Sequence, residues 1–165
     1  MSVDAIVAGL PALRFGDAAP ISWDSFLGRC GAEAGRVVRG LGEGAWADLE
    51  AQLRNAMVDA RGGDAKYRRP VEGCSLYWRD RVRACFQEAD VLRRDELIDR
   101  VWWDAAGELT PPASPLGMGA LLTYAVRLRI ALKRTAISQE RGGAAFDRMT
   151  AGTKPAEQSN NQTIK

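Results

Sequence analysis

The sequence contains no histidine. That absence removes the commonest general base and the commonest transition-metal ligand together, and it leaves Ser75 and Ser138 without an imidazole to activate them. Cysteine is scarce: Cys30, Cys74 and Cys85 are odd in number and irregular in spacing. A disulfide framework is therefore not expected, and a reducing cytosol is the simpler setting. On one helix Cys74 and Cys85 would be about 16 Å apart in rise, too far to share a zinc ion, so they read as small buried hydrophobes. No window approaches the roughly 18 uncharged residues of a spanning helix, and the apolar run at residues 5–10 is too short for a signal segment. A charge excess is also missing: 23 Lys and Arg face 21 Asp and Glu, for a net +2. No bulk field draws the chain to nucleic acid or to an anionic membrane. Gly40, Gly42 and Gly44 alternate, but no strand precedes them and no phosphate-loop Lys-Ser/Thr follows. Gly152-Thr153-Lys154 has the wrong order, and turn glycines explain both.

What is present is helical periodicity. Ser22 is placed to cap a short helix through Cys30, and a second short helix is expected over residues 34–39. Residues 43–60 carry Trp46, Leu49, Leu53, Ala56 and Met57 on one stripe, stopped by Gly62-Gly63. Residues 72–89 put Cys74, Trp78, Val82, Cys85 and Phe86 on one face. Asp90 caps a helix through residue 104, where Leu97, Ile98, Val101 and Trp102 share a face and Trp103 points away. Ser114-Pro115 starts the longest helix, expected to break at Gly142-Gly143. Residues 4–10 read as a short strand or extended arm, part of an N-terminus laid against helices, and residues 150–165 as a polar, disordered tail. Strand-like alternation is almost absent. The expectation is a mainly α, compact multi-helix domain over residues 1–149, with a short extended N-terminal arm.

The long helix has two apolar seams. Leu121, Tyr124, Ala125, Leu128 and Leu132 form one; Leu122, Val126, Ile130 and Ile137 form the other. Arg127, Arg134 and Arg141 step by seven along one border, and Arg129 and Lys133 form a basic pair at the other. Such a helix either runs through the middle of its own bundle or presents one seam to a partner. The partner-contact candidates on the second reading are Leu122, Val126 and Ile130, with Arg127 and Arg134. Two other readings stay open. Arg79, Arg81 and Arg83, with Arg68 and Arg69, would form a nucleic-acid surface if exposed together, and Trp78, Trp102 and Trp103 would stack on bases if exposed. Asp95 and Asp99, one turn apart, would serve a metal or acid–base site if further oxygens converged, although Arg94 and Arg100 make a solvated, salt-bridged face the plainer reading.

The order Val7-Ala8-Gly9-Leu10-Pro11, Leu13, Phe15-Gly16-Asp17, Pro20-Ile21-Ser22, Phe26-Leu27, Cys30 resembles a small bacterial family of unknown function. Its members are encoded beside the genes of V/A-type (vacuolar-like) ATP synthases. Leu53-Arg54-Asn55, Glu96-Leu97-Ile98-Asp99-Arg100 with Trp102-Trp103-Asp104, Leu121 to Ala125 and Glu140-Arg141-Gly142 are similar to later segments of that family. Lys133-Arg134-Thr135 stands where its Glu-Arg-Trp pattern is expected. The resemblance implies a non-catalytic accessory or assembly component of the stalk, or a stand-in for the all-helical socket between central stalk and membrane ring. It would use no cofactor and act through contacts with protein subunits of a V/A-type ATP synthase. No nucleic acid is then expected, and membrane contact is indirect. The location implied is cytoplasmic, or peripheral to the inner membrane through the complex. The alternative is a helical nucleic-acid-binding or regulatory module.

Overall fold

The N-terminal segment begins with a capped helix. The Ser2 hydroxyl accepts from the Ala5 N–H and Asp4 sits in the first turn, favouring helix α1 at Val3–Ala8. This corrects the extended reading of residues 4–10. Val3, Ile6 and Val7 sit at helical spacing and pack on the core, but a single turn and a half is too short to display a period. The extended part of the arm follows it. Leu13, Phe15, Ala19 and Ile21 pack inward against the core while Arg14, Asp17 and Pro20 face out, the alternation of an extended chain without a strand partner. The computed structural model describes residues 1–72 and 75–151, and among them there is no strand.

Helix α2, Trp23–Arg39, is capped by Ser22 and kinked at Gly31, whose φ of 69° suits only glycine. It merges the two short helices expected from the sequence. Helix α3, Ala45–Ala60, ends where Gly63 N–H reaches the Val58 carbonyl and Gly62 N–H that of Asp59, a Schellman stop. Helix α4 is Leu76–Cys85 with Ser75 as cap, shorter at both ends than residues 72–89. Phe86 falls beyond it, with Arg61 and Arg94 packed on its ring. Cys74, expected on this helix, lies outside the described residues. Helix α5, Val91–Ala105, starts where the Asp90 carboxylate accepts from Leu92 and Arg93, and a 3-10 turn continues it at Ala106–Leu109.

Helix α6, Met118–Ala151, has 34 residues and is about 51 Å long. Two expectations fail on it. Residues 111–117 are turns, so Ser114-Pro115 precedes the helix rather than starting it. The helix also runs through Gly142-Gly143, because glycine lowers helix propensity by about 1 kcal/mol without forbidding the αR conformation. Gly119 has a steric duty: a Cβ there would lie 1.9 Å from the Leu109 carbonyl oxygen, so only glycine lets α6 cross the end of the 3-10 turn. The last residues of α6 belong to the segment read as a tail, and residues 152–165 lie outside the described part.

Two apolar clusters hold the helices together. The larger joins Phe26, Val38, Trp46, Trp103, Leu121 and Leu128; the smaller joins Leu53, Trp78, Val82, Cys85, Val101 and Ala105. Leu49 and Trp102 touch both. Helix α5 is thus gripped on two sides, which corrects the outward reading of Trp103. That ring is 6% exposed and meets Phe15 edge to face at 5.5 Å. Between Leu121 and Ala131 helix α6 has buried residues on every side, so it runs through the middle of the bundle there.

Candidate partner-binding cleft

Three helices converge on a cleft of about 400 Å³. Each contributes residues at helical spacing: Trp46, Glu50, Arg54 and Met57 from α3; Asp95, Ile98, Asp99 and Trp102 from α5; Val126, Arg129, Ile130 and Lys133 from α6. Steps of three and four place each quartet on one face. The walls combine apolar surface with three carboxylates and three cations.

Most of these charges are already engaged. Arg54 holds Glu50 at 2.7 Å across one helical turn. Lys133 Nζ lies 2.8 Å from Asp99 Oδ1 and 3.2 Å from Asp95 Oδ2, tying α6 to α5. Arg134 adds longer ion pairs to Asp99 and Glu96. Burial pushes the Asp99 carboxyl above its usual range and outweighs the opposing pull of Lys133. For Lys133, burial acts downward, but the hydrogen bond and charge of Asp99 prevail and the net shift is upward. Arg129 is exposed and packs over the Trp23 ring at 4.6 Å. Among the described residues no ion pair to a carboxylate is formed by Arg129.

The five sequence candidates separate. Val126 and Ile130 do come together on the cleft wall, but they are 4% and 8% exposed and packed in the larger core. Leu122 is half-buried against the same core. The seam at Leu122, Val126 and Ile130 is therefore packed by the chain itself, the first of the two arrangements the sequence left open. Arg134 stacks on the Phe15 ring at 4.9 Å, where Arg100 also packs at 5.0 Å; it latches the arm instead of facing outward. Arg127 sits on another face of α6, over Trp103. The exposed cations of the cleft that lie off the buried seam are Arg54, paired with Glu50, and Arg129, which forms no ion pair among the described residues. Arg129 and Lys133 stood out in the sequence as a basic border, whereas the α3 quartet gave no signal beyond its core periodicity.

Charges of the other two constellations are engaged in local pairs. Arg81 bonds Asp104 at 2.8 Å and packs against Tyr77 and Trp78. Arg68 pairs with Asp59, and the Arg69 backbone is clamped by both side-chain atoms of Asn55. Trp78 and Trp103 are buried. Asp95 and Asp99 share Lys133, and no group of three or more acidic or Cys side chains converges among the described residues.

Against protein-family models, curated proteins and solved structures, nothing matches this chain. The geometry of the cleft is therefore the starting point for function. No helix among the described residues is long and apolar enough to cross a membrane.

Proposed function

We propose that this protein is a non-catalytic assembly component that receives an amphipathic helix of another protein in the cleft between α3, α5 and α6. In keeping with the motif order from Val7 to Gly142, we propose a stalk protein of a V/A-type ATP synthase as the source of that helix. The observation that carries the reading is the cleft's chemistry. Half-buried apolar side chains from two helices (Met57, Ile98 and Trp102), backed by the third, stand beside charges of both signs, as in helix-in-groove recognition, where apolar anchors give affinity and rim charges give register. The distal part of α6 adds helical surface for such contacts: every described side chain from Ser138 to Met149 is exposed.

The test is co-expression of the full chain with the stalk proteins, followed by co-elution. Charge reversals are placed at Arg54 and Arg129, whose side chains can change without opening the core. The wild type is expected to retain a stalk protein, and Arg54→Glu with Arg129→Glu to weaken retention at least about tenfold, the effect of roughly 1.4 kcal/mol, with helicity unchanged. Absence of any stalk protein from the wild-type eluate, or retention indifferent to both reversals, overturns the proposal.

A further inference from the structure

A second recess lies on the opposite flank of α6, beneath the N-terminal arm. It has a volume of about 310 Å³; arm residues including Val7, Leu10 and Leu13 form one wall, and Ala120, Tyr124 and Arg127 of α6 form another. Among the described residues Arg127 is the one charged residue of its lining. Its Nε–H donates to the Trp103 carbonyl at 3.0 Å and its guanidinium covers the Trp103 ring at 5.3 Å. Among the described residues it makes no ion pair. Asp104, the nearest acidic influence on it, is held instead by Arg81 at 2.8 Å and Arg100 at 3.3 Å. Burial pulls the Arg127 pKa down, the signature of a cation that has lost water without gaining an anion.

The Tyr124 hydroxyl on that wall is enclosed and has no hydrogen-bond partner among the described residues, and burial raises its pKa. The neighbouring threonines offer nothing to an anion. Thr123 donates to the Ala106 carbonyl at 2.8 Å, so the 2.7 Å contact between the two hydroxyls uses the Thr110 proton. The recess therefore presents one cationic side chain without an ion pair among the described residues, Arg127, in otherwise uncharged surroundings.

We propose that this recess binds a carboxylate attached to a short apolar body, with Arg127 as the anion-holding residue. A carboxylate supplies what the guanidinium lacks, in the geometry that arginine pairs best, and Val7, Leu10 and Leu13 cover the apolar part. The site is independent of the cleft on the other side of α6, so either proposal stands if the other fails. Two sources share this chemistry: a free short-chain carboxylic acid and the C-terminal carboxylate of a polypeptide.

Titration calorimetry of the full chain separates them. The probes are sodium isovalerate, a tetrapeptide ending in leucine, and the same peptide with an amidated end. At least one carboxylate is expected to saturate while the amide does not, and which one does identifies the source. Arg127→Gln is expected to weaken binding roughly ten- to a hundredfold, the effect of a charge-assisted hydrogen bond. Because Arg127 also touches Trp103, Ala120→Trp is the second variant: it fills the recess and leaves Arg127 in place, and it should abolish binding with the fold intact by circular dichroism. The proposal falls if neither carboxylate saturates at millimolar concentration, or if the amide binds as well. It also falls if Ala120→Trp, or a folded Arg127→Gln, binds as the wild type does.

Discussion

Single residues in this protein act through what surrounds them, and Asp99 is the clearest case. Its carboxylate is almost wholly buried yet faces Lys133 and Arg134 from α6. Because burial raises its pKa in the folded state, the folded protein binds this proton more tightly than the unfolded chain does. The contribution of this group to stability is thus fully present below the unfolded carboxylate pKa and is lost as pH rises through the folded value. Asp99→Asn should leave urea stability at pH 7 within about 1 kcal/mol of wild type or above it, and should remove that pH-dependent component. A loss beyond about 3 kcal/mol would instead mark the pair as a net stabiliser. Leu53 tests ordinary packing. It is fully buried in the smaller cluster, and Leu53→Ala should cost about 2–5 kcal/mol in urea unfolding. Val126→Asp places a charge in the core and should unfold the isolated protein rather than merely release a partner; a folded variant would return that seam to the surface.

At the scale of elements, the locally coded features were legible and the mutual fits were not. Asp90 was readable as a cap and Gly62-Gly63 as a stop because each acts within a few residues of itself. Asp90→Ala should cost about 1 kcal/mol by thermal melting. The start of α6 was not readable at Ser114-Pro115, since the chain turns again to meet the 3-10 segment at Ala106–Leu109. Gly119 records that meeting. Gly119→Ala would press a methyl group onto the Leu109 carbonyl, and a loss of about 1–3 kcal/mol is expected from the enforced shift. Near-wild-type stability would mean that α6 does not cross so closely. Periodicity likewise identified α5 as a helix but misassigned Trp103, because one stripe was sought on an element that packs on two sides.

At the scale of the molecule, α6 divides the protein into a buried middle and an exposed distal arm. Changing both Gln139 and Glu140 to alanine should leave the melting temperature within a few degrees of wild type, because both side chains are exposed. A collapse of stability would show that the arm folds back. Sequence by itself determined the helical class, the approximate spans of α3 and α5, and the caps that start them or stop them, because period and capping are properties of neighbouring residues. Only the tertiary structure decided that Val126 and Ile130 of the second seam are core, that Arg134 latches Phe15, and that Arg129 stands beside one recess along α6 and Arg127 beside another. Those facts depend on which helices come to lie against α6, and contacts between residues far apart in the chain leave no period along it.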